Sequence, residues 1–92
     1  MIKRLECKIF GRVQFVMFRD FVCRNARSRG ITGTVKNNPD GTVSVCAEGE
    51  KDKLQELSRL IHRGPLFARV VRVEEVWEGP LGEFENFAIL YK

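Results

Sequence analysis

Histidine, tryptophan and tyrosine each occur once in these 92 residues, and proline and cysteine three times. No apolar run approaches the length of a membrane span. Each scarcity removes a class of function. The cysteines, Cys7, Cys23 and Cys46, are odd in number and show no C-x-x-C spacing, so neither a disulfide framework nor a zinc site is indicated. Free thiols fit a reducing cytoplasm, the expected location. His62 has no second histidine to work with, and it sits near the end of an apolar-striped segment where a basic side chain suits a helix dipole. The pattern offers no Cys–His pair and no carboxylate pair with an evident acid–base role. The N-terminus has no apolar signal region, and there is no internal repeat or low-complexity stretch. No metal and no cofactor is expected.

What is present suits one soluble domain spanning residues 1–92, with 43% hydrophobic and 30% charged residues. The net charge of +4 favours anionic partners only weakly. The Lys and Arg residues are scattered among Glu48, Glu50, Asp52, Glu74, Glu75 and Glu78, whereas a nucleic-acid binder concentrates its basic residues.

The apolar periods set the architecture. Leu5, Cys7 and Ile9 alternate with Arg4, Glu6 and Lys8, the signature of a half-buried strand over residues 2–10. Phe18, Phe21, Val22 and Ala26 form a helical stripe over 18–29, stopped by Gly30. Residues 31–48 read as a hairpin, with Asn38-Pro39-Asp40-Gly41 at its turn. Leu54, Leu57, Leu60 and Ile61 mark a second helix over 51–62, broken by Gly64-Pro65. A strand over 68–77 carries Val70, Val71, Val73, Val76 and Trp77, and Phe87, Ile89 and Tyr91 alternate in a last strand. Trp77 and Tyr91 are expected in the core or sheet. The order predicts an α+β, ferredoxin-like βαββαβ fold plus a terminal strand: an antiparallel sheet with both helices on one face and the other face solvated.

Between the first strand and the first helix lies Gly11-Arg12-Val13-Gln14-Phe15-Val16-Met17-Phe18-Arg19. A loop that ends a strand and opens a helix gathers backbone N–H groups at the positive end of the helix dipole, a setting that attracts phosphate. Arg19 adds a planar fork of donors. Residues Arg12, Val13, Gln14, Phe15, Val16, Met17 and Phe18 are therefore read as a phosphate cradle, with Arg12 at its rim.

This G-R-V-Q-x-V-x-F-R run, followed by G-x-V-x-N-x-x-x-G-x-V at Gly33, Val35, Asn37, Gly41 and Val43, resembles the acylphosphatase family. The resemblance implies hydrolysis of acyl phosphates to a carboxylate and inorganic phosphate without a metal. It assigns phosphate binding to the loop amides and to Arg19, and positioning of the attacking water to Asn37. Thr42, after the turn, is expected either to steady Asn37 or to serve as a plain strand residue. Small acyl phosphates or inorganic phosphate are the expected partners, with no nucleic acid, no membrane and a monomeric state.

Two residues depart from the family pattern. Phe15 stands where glycine is usual, and Thr34 where an aromatic is usual. If the cradle needs positive φ at position 15, a bulky residue there costs about 1–3 kcal/mol. If it does not, Phe15 is expected to present its N–H with its ring at the pocket mouth, where the ring either blocks the pocket or selects an apolar acyl group. Phe15 also keeps open a second reading, an anion-binding domain with little or no catalysis. A third, a nucleic-acid module of the same strand order, ranks last, because Thr42, Ser44, Cys46 and Glu48 give its third strand no outward aromatic for stacking.

Overall fold

The computed structural model describes residues 1–91. Seven elements follow in chain order: β1 (Ile2–Arg12), α1 (Phe18–Arg27), β2 (Thr32–Asn37), β3 (Val43–Glu50), α2 (Lys51–Arg63), β4 (Arg69–Glu78) and β5 (Phe87–Leu90). They make one five-stranded sheet in the order β4-β1-β3-β2-β5. The first four strands pair antiparallel, as the ferredoxin-like pattern predicts. The fifth differs, adding parallel to β2 at the far edge.

The helices share one face, because Arg29 after α1 reaches Glu56 on α2 at 3.1 Å. Between helices and sheet lies one core. Leu5, Cys7 and Ile9 of β1 and Val43, Val45 and Ala47 of β3 meet Val22 and Ala26 of α1 and Leu54, Leu57 and Ile61 of α2. Among the described residues, no helix is long and apolar enough to cross a membrane.

The strand after α2 carries a correction to the sequence reading. Phe10 faces Arg72 and Gly11 faces Val70, so Val71 is an extra residue bulging out of the ladder. The bulge resets the alternation. Val70 and Val73 both turn toward the core, while Val71 is exposed. Val76 and Trp77 lie further along this edge strand, and Trp77 is 39% exposed rather than a core residue.

The outer face is also less open than expected. β4 and β5 occupy opposite edges, so their connection must cross the sheet. It does so over Glu48, an outward residue of β3 whose carboxylate accepts the Leu81 and Gly82 amides at 2.8 and 3.0 Å and Arg4 Nη1 at 3.0 Å. Glu48 is buried as a result, with its charge fully partnered.

Candidate active site

The strand registers bring five chain segments to one end of the sheet. Arg12 faces Arg69, Ile9 and Asn37 both face Val43, and Lys36 faces Leu90. The ends of β1, β2 and β5 thus meet the beginnings of β3 and β4. Gly11 makes the β1–β4 contact possible, since a Cβ there would sit 2.0 Å from the Arg69 carbonyl oxygen. The cradle loop leaves β1 at this point.

Within the loop, apolar side chains fix the backbone. Val13 and Phe18 are buried and Val16 packs on the core. The intervening residues point outward: Phe15 is 93% exposed and Met17 71%. Both take a left-handed backbone at φ 61°, with Val16 between them at negative φ. Alternating handedness of this kind is the backbone pattern in which successive N–H groups can converge on one side. Met17 is the N-cap of α1 and provides no side-chain cap. The first helical bond runs from the Phe21 amide to the Met17 carbonyl, so the preceding first-turn amides have no partner within the helix.

Gln14 pins the loop to the β2–β3 turn. Its Nε2 donates to the Asn38 and Thr42 carbonyl oxygens at 2.8 and 2.9 Å. Both side-chain N–H groups are thereby committed. Thr42 braces that turn from within: its Oγ1 accepts from Asn38 Nδ2 at 2.9 Å, and its amide donates to Asp40 Oδ1 at 3.0 Å. The Thr42 hydroxyl also donates to Asp40 Oδ1, and that bond, then the Thr42 amide and then Lys8 hold the Asp40 carboxyl down at about 2.

Above the loop, a cavity of about 130 Å³ is lined by Val13, Phe15, Met17, Phe18, Arg19, Asp20, Asn37, Ile89 and Tyr91. Arg19 extends from the first turn of α1, and its guanidinium lies 5.0 Å from the centroid of the Tyr91 ring. No carboxylate pairs with Arg19 among the described residues. Its neighbour Asp20 is held by Arg24 at 2.7 Å instead. Asn37 reaches the cavity from the end of β2, where its Oδ1 is buried and accepts no hydrogen bond among the described residues. A buried acceptor left unmatched costs about 1–3 kcal/mol, and such atoms in a folded protein need an explanation. A water or ligand in the cavity would supply one.

The fold therefore brings Val13, Phe15, Met17, Phe18, Arg19 and Asn37 around one space. Arg12 is exposed at the end of β1 and does not line it. Gln14 and Val16 support the loop from outside the cavity. Thr42 bonds Asn38 and Asp40 rather than Asn37, so its support passes through the turn. Ile89, Asp20 and Tyr91 were not picked out by sequence reasoning. Tyr91 is 78% exposed and faces Arg19, not the core. Phe87 and Ile89 turn to the core as the alternation predicts, but β5 ends at Leu90, and Tyr91 follows the strand at the cavity.

Comparison with known proteins gives a consistent family. The acylphosphatase family model matches residues 5–89. Over 87 residues the chain is 45% identical to an acylphosphatase of Thermococcus kodakarensis, covering 95% of this chain and 94% of that one. It superimposes on the crystal structure of acylphosphatase from Bacillus subtilis with a TM-score of 0.93 at 34% identity, covering 97% and 99% of the two chains. It also matches a portion, 12%, of full-length HypF in a phosphate- and nucleotide-bound form, with a TM-score of 0.88 at 30% identity over 98% of this chain.

Proposed function

The chain belongs to the acylphosphatase family, and from that premise we propose that it hydrolyses acyl phosphates, with the 13–18 loop and Arg19 binding the phosphoryl group and Asn37 positioning water. The observation that carries this reading is the pairing of two groups in one cavity that are unspent among the described residues: the Arg19 guanidinium without a carboxylate, and the buried Asn37 Oδ1 without a donor.

The chemistry divides naturally between them. The phosphoryl transition state spreads negative charge over its peripheral oxygens. Fixed amides of the loop and a guanidinium stabilise that charge without reorganising. The Tyr91 ring, 5.0 Å from the Arg19 guanidinium carbon, adds a cation–π contact that favours the guanidinium's place at the cavity. Asp20 does not repel the phosphate strongly, because Arg24 neutralises it.

Asn37 Oδ1 accepts a hydrogen bond from one O–H of the attacking water and directs its lone pair at phosphorus. An amide is too weak a base to remove a proton, so the water's other proton passes to a phosphoryl oxygen as the new P–O bond forms. The bond to the acyl oxygen breaks, and its electron pair leaves on a carboxylate. A carboxylate is stable as an anion, so the reaction needs neither a general acid nor a metal ion.

The test is hydrolysis of benzoyl phosphate in the presence of a chelator, comparing the natural chain with Arg19→Ala and Asn37→Ala. Turnover that falls by about 10²-fold or more in each variant supports the assignment. Undiminished turnover in either variant removes that residue from the mechanism. Phosphate binding without turnover in the natural chain would favour the anion-binding reading.

A further inference from the structure

We propose that the apolar face formed by Phe15, Met17, Leu66 and Phe67 is an acyl-group subsite, and that the substrates are acyl phosphates of aromatic or extended aliphatic acids. The inference rests on the hydrolase reading above.

A second cavity of about 440 Å³ adjoins the first, and the two share Phe15 and Met17 as a common wall. Its other apolar walls come from Val16 of the loop, Phe21 of α1, and Pro65, Leu66 and Phe67. The last three belong to a turn closed by the Ala68 amide on the Pro65 carbonyl at 3.0 Å. Leu66 is 87% exposed and Phe67 73%, beside Phe15 at 93% and Met17 at 71%. Single exposed apolar side chains are ordinary, but four gathered around one hollow mark a binding surface. Two of the four also hold a left-handed backbone that disfavours side chains of their size.

The strand order shows why the occupant is the acyl group. The cradle springs from β1. Asn37 ends β2 on one side of it, and Leu66 and Phe67 lead into β4 on the other. Displacement at phosphorus runs in line, with the attacking and leaving oxygens on opposite sides. Water held by Asn37 therefore drives the leaving carboxylate toward the β4 flank, across the ridge of Phe15 and Met17. Among the described residues, the one cation lining that cavity is Arg24, already paired with Asp20. The face thus suits apolar acyl groups and offers nothing to those bearing a second anionic group.

The experiment measures kcat/KM for benzoyl phosphate and acetyl phosphate with the natural chain and with Leu66→Ser, Phe67→Ser and the double variant. Because both side chains are exposed, the fold should tolerate the changes, and circular dichroism would verify this. The expected result is about a tenfold fall with benzoyl phosphate in the double variant while acetyl phosphate stays within about twofold. An unchanged ratio of the two substrates, with acetyl phosphate still hydrolysed, overturns the subsite and leaves the hydrolase reading standing. No hydrolysis of either substrate by the natural chain overturns both. A concentration-dependent dimer that the double variant abolishes, with the ratio unmoved, assigns the face to a second copy of the chain and also overturns the inference.

Discussion

Replacing Phe15 by glycine should stabilise this protein, although it deletes a large apolar side chain. The ring is 93% exposed, so its removal forfeits almost no burial. The backbone at position 15 has φ 61°. A side chain held in the left-handed region costs roughly 1–2 kcal/mol, which glycine avoids. Against this, glycine widens the unfolded ensemble at a cost of about 0.4–1 kcal/mol. At the middle of both ranges the difference is a net gain of about 0.8 kcal/mol, a rise in Tm of about 3–6 °C for a domain of this size. The assay is thermal unfolding followed by circular dichroism in phosphate-free buffer, since a bound anion would itself raise Tm. Phe15→Ala is the control, because it loses the ring but keeps a Cβ at positive φ. If the glycine variant melts no higher than the alanine variant, the strain argument for the cradle is refuted.

Other consequences follow from the same geometry. Asn37→Ala removes the unpartnered buried oxygen, so its stability should match or exceed that of the natural chain by up to about 1 kcal/mol in urea titrations, even as benzoyl phosphate turnover collapses. Tyr91→Leu should weaken competitive inhibition by inorganic phosphate about two- to fivefold, the equivalent of the roughly 0.5–1 kcal/mol of an exposed cation–π contact. The Glu48 carboxyl is held below its ordinary value, first by the Leu81 amide and then, against the opposing effect of burial, by Arg4 and the Gly82 amide. A depressed folded pKa means that its stabilisation is complete above the ordinary carboxylate pKa and is lost as pH falls through the folded value. Amide hydrogen exchange at Leu81 and Gly82 should therefore lose protection, after correction for intrinsic rates, as the pH drops below the ordinary carboxylate range. Glu48→Gln should flatten that dependence. Gly33→Ala should unfold the domain or cost several-fold more than a surface substitution in urea midpoint, because its Cβ would lie 1.9 Å from the Cys46 carbonyl oxygen.

By itself the sequence determined everything that depends on local period and chain order. The alternation of Leu5, Cys7 and Ile9 and the stripes of Phe18, Val22 and Ala26 and of Leu54, Leu57 and Ile61 identified the strands, helices and core faces, and the element order predicted the fold. The glycine-initiated run to Arg19 and the spacing from Gly33 to Asn37 identified the family and, of the residues that line the cavity, Val13, Phe15, Met17, Phe18, Arg19 and Asn37. Such patterns are legible because side-chain direction in a strand or helix is fixed by position alone. Only the tertiary structure decided the rest. The Val71 bulge arises from the fit of β4 to Gly11 and turns Val70 and Val73 inward together. Gln14 commits its side chain to two carbonyls on another hairpin, and Tyr91 leaves the core to lie under Arg19. Glu48 disappears beneath a connection that must cross from one sheet edge to the other. The unmatched Asn37 oxygen and the positive φ of Phe15 belong to the same class. Each depends on partners far apart in the chain or on a backbone angle set by the walls around it, and no local periodicity encodes either.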